Sequence, residues 1–150
     1  MQYPIKVLFL CTGNSARSQM AEGLLRSLGK QHFEVYSAGT HPTELNPLAV
    51  AVMLESRINI SGQRSKDLSE FIGMNFDYII TVCDRARDNC PTFPGDNQRI
   101  HWGFEDPAAA VGDAHHKLEV FRRIRNEIRT RVAIWLPAMM KVLKDQGIAT

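Results

Sequence analysis

The stretch Ile5–Leu25, "IKVLFLCTGNSARSQMAEGLL", decides the fold. It opens on a short run of apolar residues, several β-branched or aromatic, the pattern of a strand buried on both faces. The run stops at Cys11 and turns through small polar residues. It then enters a segment where Met20, Leu24 and Leu28 recur at four-residue steps, with Ala21 and Leu25 alongside. That spacing predicts a helix over "SARSQMAEGLLRSLG", stopped by Gly29. Strand, polar turn and helix in immediate succession open a parallel α/β sheet. Structural cysteines usually sit inside apolar elements, whereas Cys11 stands at an edge, six positions before Arg17.

The same alternation continues along the chain. "FEVYSAG" reads as a second strand, and Pro47 to about Glu55 as a helix with proline in its first turn. "KDLSEFIG" reads as a short helix ended by Gly73. "FDYIITVC" is a third strand, also ending on a cysteine, Cys83, and "QRIHWGF" is a fourth. From about His115, Leu118, Phe121, Ile124, Ile128, Val132 and Trp135 mark a long amphipathic helix, which Pro137 should kink or interrupt. The expectation is an α/β fold: a flavodoxin-like three-layer sandwich in one domain, residues 1–150. Its four-stranded parallel sheet should run in the order 2-1-3-4, with helices on both faces. Ligands of such sheets bind beyond the carboxyl ends of the strands, near the switch point. Cys11, Cys83 and the "EDP" after the fourth strand all fall at that edge.

Bulk properties narrow the partners. A chain of 150 residues, 44% hydrophobic, buries a core without staples. A net charge of +2 is too small to point to nucleic acid or an anionic membrane. No apolar run approaches the roughly 18 residues of a membrane span, and "MQYPIKVLFLC" lacks the pattern of a signal peptide. A cytoplasmic monomer is the default expectation. There, three cysteines are more often reduced, catalytic or metal-binding than a static framework.

Residues 11–18, "CTGNSARS", form a Cys-x5-Arg turn leading into a helix. Thr12, Gly13, Asn14, Ser15, Ala16, Arg17 and Ser18 are the candidate oxyanion-binding residues, their backbone N–H groups curled inward as a nest at the helix start. Gly13 and Asn14 tolerate the left-handed angles such curling requires, and the Arg17 fork suits a tetrahedral oxyanion such as phosphate or arsenate. An ordinary thiol would be only about 3% ionised at pH 7. A helix start and a nearby arginine can lower a cysteine pKa to about 3.5–7.5, so Cys11 is expected to be a thiolate at neutral pH. The Gly-x4-Gly-Lys-Ser/Thr pattern of a nucleotide loop is missing.

In "TVCDRARDNCP" six residues separate Cys83 from Cys90. Neighbouring strands lie about 4.8 Å apart and a disulfide needs Cα atoms about 4.4–6.8 Å apart, so Cys83 is placed to attack a Cys11 adduct after modest movement. If the segment between the two later cysteines is helical, seven steps of about 1.5 Å hold them roughly 10.5 Å apart. A bridge between them then demands rearrangement. Structural burial is the competing reading for Cys83. The Cys-x6-Cys spacing does not suit zinc, and His101, His115 and His116 show no paired ligand pattern, so no metal is expected. Asp106 precedes Pro107, which favours an extended backbone and lets its carboxyl reach over the loop to protonate a departing hydroxide. A solvated turn residue is the alternative for Asp106, and Glu105 is the competing carboxylate.

"VLFLCTGNSARSQMAEGLL" followed by "VYSAGT" resembles the low-molecular-weight protein tyrosine phosphatase superfamily, and most of all its thioredoxin-coupled arsenate reductases. The likeness runs through "HWGFEDP" into the last helix. It implies that Cys11 is the nucleophile, Arg17 holds the oxyanion, Ser18 supports the thiolate and Asp106 is the general acid. It further implies Cys83 and Cys90 as a thiol relay, arsenate as substrate with phosphate as a competing oxyanion, thioredoxin as reductant, and no cofactor. Asn14, Glu22, Ser37 and Asp67 are implied as polar groups bracing the loop; whether a monovalent cation binds among them stays open. One departure is Ala16, where many members carry a second loop cysteine. Two other readings stand beside this one: a phosphatase, disfavoured by the lack of aromatic residues in "PAAAV", and a phosphocysteine carrier or oxyanion-binding module without turnover. His41, Trp102 and Trp135 are assigned to packing or solvent contact, and Arg85, Arg87 and the arginines of 122–131 to solvated faces.

Overall fold

The computed structural model describes residues 3–148. Along the chain run β1 (Ile5–Cys11), α1 (Arg17–Gly29), β2 (Phe33–Gly39), α2 (Pro47–Glu55), β3 (Tyr78–Thr81), α3 (Asp84–Asp88), β4 (Gln98–His101) and α4 (Ala114–Asp145). The strands form one four-stranded sheet in the order β2-β1-β3-β4, with every pair parallel. This is the expected flavodoxin-like topology. Its central strand β1 is buried at every position but Lys6, as its apolar run from Val7 requires.

The register carries the functional geometry. Leu10 is opposite Thr81, and Thr81 is opposite His101, while Cys11 is opposite Gly39. All these residues lie at the carboxyl ends of their strands, at one edge of the sheet. Val82 N–H extends the ladder to Leu10 C=O at 2.9 Å, which carries Cys83 to the same edge, beside Thr12.

On one face of the sheet α4 lays Trp135 against Phe33, Tyr78 and Trp102. Tyr36 points to the other face, where Phe71 and Phe76 pack on it and Phe93 extends the cluster. α4 buries Phe121, Ile124, Ile128 and Val132, the stripe its periodicity announces. Trp102 is buried and Trp135 partly so, both in packing.

Several local expectations need correction. Leu28, in the last turn of α1, is exposed and not part of the buried stripe. Gly29 is not the left-handed stop: α1 includes it, and Lys30 takes the positive φ of 51°. Gly29 matters for space instead, since a Cβ there would lie 2.4 Å from the Phe33 ring. "KDLSEFIG" yields only a 3₁₀ turn at Leu68–Glu70, capped by Asp67. α4 runs through Pro137 without interruption. Its arginines are more than a solvated face: Arg122 and Arg125 both hold Glu55 at the end of α2, and Arg125 also reaches Val52 C=O at 2.7 Å. They tie α4 to α2.

Candidate active site

Cys11 ends β1 and is 3% exposed. Behind it stands Ser18, fully buried on the first turn of α1, its Oγ 2.8 Å from Cys11 Sγ. Asn14 N–H donates to the same sulfur at 3.1 Å. Asn14 takes the left-handed conformation the loop was expected to need (φ 47°). Gly13 does not: its φ is unexceptional, and its lack of a side chain serves close packing, a Cβ there lying 3.2 Å from Thr43 Oγ1.

A cavity of about 230 Å³ opens in front of the sulfur. Thr12, Gly13, Ser15, Ala16 and Arg17 line it with Cys11, and Thr43, Asp106 and Ala108 close the far side. Asn14 and Ser18, expected among the oxyanion binders, are not on this wall; both lie buried behind the loop. No side chain caps α1 at Ala16, and of its first-turn amides that of Ser18 is turned to Cys11. Arg17 is mostly buried and anchored by donating to Phe104 C=O at 3.0 Å.

The pKa of Cys11 is shifted opposite to the expected direction. Burial is the largest influence and pushes the thiol up; the Ser18 hydroxyl, the Asn14 and Ser18 amides and the Arg17 charge all pull it down without prevailing. The groups expected to create a thiolate are in place, but the depth of the sulfur opposes them.

Asp106 has the extended backbone its proline demands (φ −77°, ψ 108°). One carboxylate oxygen accepts from Ala108 N–H at 3.0 Å and the other stands 3.8 Å from Arg17 Nη2. The competing carboxylate, Glu105, is turned to Arg123 on α4.

Cys83 lies two residues beyond β3. It is 6% exposed, with its sulfur 3.4 Å from Thr12 Oγ1 on the anion loop. The same sulfur caps α3, accepting from Ala86 N–H at 3.4 Å. Cys90 follows α3 and is half-buried, its thiol 3.6 Å from Pro91 C=O. Burial pushes this thiol up as well, against the charge of Arg99. All three cysteines are free thiols.

Of the implied bracing groups, three meet. Asn14 Nδ2 donates to Ser18 Oγ at 2.8 Å and to Ser37 Oγ at 2.9 Å, and Ser37 donates to Glu22 Oε1 at 2.5 Å. Asp67 stays outside, exposed and spent on Ser69 N–H. Glu22, nearly buried, is matched by two built-in cations, Arg26 Nη2 at 2.7 Å and Lys66 Nζ at 3.6 Å. Burial lowers the Lys66 pKa, and Glu22 partly restores it.

Sequence reasoning missed three supports. Gln19, fully buried, donates to the backbone and side-chain oxygens of Asn14. Ser65 and the Lys66 amide also bond Asn14, at 2.6 and 2.8 Å. Gly39 is the third: a Cβ there would sit 2.4 Å from Thr12 C=O. Nothing in the sequence singled it out: its place opposite Cys11 exists only once β2 is set beside β1. Among the described residues no cluster of His, Cys, Asp and Glu is arranged to hold a metal ion, and no helix is long and apolar enough to cross a membrane. A larger cleft, about 700 Å³, runs along α4 and contains none of the cysteines.

A buried cysteine beneath a Cys-x5-Arg loop at the switch point of a β2-β1-β3-β4 sheet defines a class, and comparison with known proteins agrees. The chain matches the low molecular weight phosphotyrosine protein phosphatase family over residues 6–149 and belongs to that family. It is 45% identical to the arsenate reductase of Halalkalibacterium halodurans over 84% of this chain and 91% of that protein. A solved arsenate reductase in its phosphate binding state superposes with a TM-score of 0.73 at 33% identity, covering 89% of this chain and 98% of that one. A thioredoxin-dependent arsenate reductase of Corynebacterium glutamicum gives a TM-score of 0.61 at 30% identity, covering 87% of this chain and 62% of that one.

Proposed function

We propose that this chain is an arsenate reductase that passes two electrons through Cys11, Cys83 and Cys90 to arsenate and is restored by thioredoxin. The observation that carries the reading is the contact between Thr12 and Cys83, which sets a second thiol against the loop that holds the nucleophile. A phosphatase has no use for that thiol. The cavity wall beside Asp106 is Ala108 rather than an aromatic ring, which suits a small oxyanion better than a phosphotyrosine.

Arsenate enters the loop against its amides and Arg17. Burial favours the Cys11 thiol over the thiolate, so its proton is lost as the oxyanion, itself a base, arrives. Ser18, Asn14 N–H and Arg17 stabilise the anion that forms. Cys11 sulfur displaces one arsenate oxygen, which leaves as water after protonation by Asp106. Cys83 then attacks Cys11 sulfur. The S–As bond breaks, its electron pair reduces arsenic from the +5 to the +3 state, and arsenite leaves behind a Cys11–Cys83 disulfide. Cys90 attacks Cys83 and frees Cys11. The Cys83–Cys90 disulfide is reduced by thioredoxin's dithiol through a mixed disulfide.

The chain needs no second subunit for this sequence, and a cytoplasmic setting keeps the thiols reduced. The test is arsenate-dependent oxidation of reduced thioredoxin, followed against single Cys→Ser variants. Turnover that survives Cys83→Ser and Cys90→Ser together overturns the relay and leaves the family's phosphatase chemistry.

A further inference from the structure

We propose that His101 and Asp84 form a latch that holds α3 folded in the reduced protein and sets how readily Cys83 and Cys90 pair. The proposal deepens the relay reading and rests on it for its purpose, though not for its geometry. His101 ends β4, where its ring is gripped from both sides. The inner nitrogen, Nδ1, lies 2.8 Å from Oγ1 of Thr81, a buried hydroxyl on the neighbouring strand. The outer nitrogen, Nε2, lies 3.0 Å from Oδ1 of Asp84, the first residue of α3. Gly103 leaves room for the contact, since a Cβ there would be 3.3 Å from Nε2 and 4.0 Å from Asp84 Oδ1. Arg87, one turn on, stands 3.8 Å from the same carboxylate oxygen. The sheet therefore reaches out through two side chains and grips the start of α3.

That grip opposes the last disulfide. α3 takes up five of the six residues between Cys83 and Cys90, and its rise of about 1.5 Å per residue holds the two apart against the about 4.4–6.8 Å of bridged Cα atoms. Bridging also removes the sulfur that caps α3 at Ala86. The helix must open, and Asp84, next to Cys83 in the chain, must leave His101. An interaction present in the dithiol and lost in the disulfide stabilises the dithiol alone, so it raises the reduction potential of the pair.

The test isolates that pair in a Cys11→Ser parent equilibrated in glutathione buffers, where two thiols and oxidised glutathione give the bridge and two reduced glutathiones. Asp84 is exposed, so Asp84→Ala should fold. Loss of the latch should favour the bridge about two- to fivefold, as for a solvent-exposed pair, which makes the potential about 10 to 20 mV more negative. Asp84→Asn keeps an acceptor for Nε2–H and should stay near the parent. If only the carboxylate's charge at the helix start matters, Asn will behave like Ala, and the latch is wrong. His101→Leu added to Asp84→Ala should change nothing further. Amide exchange in the reduced protein gives an independent reading: Ala86, Arg87 and Asn89 should lose protection in Asp84→Ala and keep it in Asp84→Asn. Unchanged potential and unchanged exchange in Asp84→Ala overturn the latch. A parent that never forms the Cys83–Cys90 bridge overturns the relay instead, and exchange then decides the latch alone.

Discussion

Gly39→Ala tests whether the anion loop is positioned by backbone contact with β2. The added Cβ would lie 2.4 Å from Thr12 C=O and 2.9 Å from Asn14 N. Both are backbone atoms and cannot swing aside. Reaching ordinary contact moves the loop by about 1 Å, given that 2.4 Å starting separation. Thr12 C=O also accepts from His41 N–H at 2.8 Å, and that bond is strained by the same displacement. Overpacking costs about 1–3 kcal/mol, and a weakened hydrogen bond adds about 1 kcal/mol. At about 2–4 °C per kcal/mol for a chain of this size, the melting temperature should fall by roughly 4–15 °C. Turnover should fall further than stability explains, because about 1 Å of misplacement at a reacting centre can cost about 10²-fold. Gly62→Ala is the control, since nothing lies within 4 Å of the Cβ it would add. Arsenate turnover, phosphate affinity by calorimetry and thermal unfolding are measured on both. A Gly39→Ala protein that melts and turns over like Gly62→Ala refutes the claim that this glycine holds the loop in place.

Asp106→Asn should slow formation of the Cys11 adduct by about 10²–10⁴-fold without weakening phosphate binding; unaffected single-turnover kinetics would move the acid role elsewhere. Ser18→Ala removes an influence that lowers the Cys11 pKa, so the midpoint of Cys11 alkylation against pH should move up from that of the unmodified chain; an unmoved midpoint means Ser18 does not support the thiolate. Because burial raises the Cys90 pKa, its thiolate is scarce at neutral pH. Stopped-flow transfer from the Cys11–Cys83 to the Cys83–Cys90 disulfide should therefore quicken as pH rises past the ordinary thiol value, and a pH-independent rate would contradict this. Lys66→Ala leaves Glu22 with one cation fewer, so phosphate affinity should fall by about three- to tenfold, read by calorimetry.

Sheet order and the edge at which Cys11 and Cys83 meet were legible because each follows from the pattern of strands, turns and helices. An unbroken apolar run makes a buried strand, and a strand-turn-helix unit fixes the side at which its loop opens. What was hidden depends on tertiary space. Gly39 reads as an ordinary strand residue until the loop is folded over it, and Gln19 reads as a polar helix residue until Asn14 lies beneath it. Lys30 accepts a left-handed angle usually left to glycine because Gly29 is needed against Phe33. The raised Cys11 pKa has the same origin: the loop sequence announces every favourable donor, while the depth of the sulfur is a property of the assembled core.

In the proposed reaction electrons reach arsenate from a second thiol held against the nucleophile's loop. Cys90→Ser protein, treated with arsenate in the absence of reductant, quenched with an alkylating agent and digested, tests it most directly by mass mapping. One arsenite should be released per chain, with a Cys11–Cys83 disulfide trapped in the same amount. Arsenite release with Cys83 still alkylated, or no bridge after prolonged exposure, would contradict it.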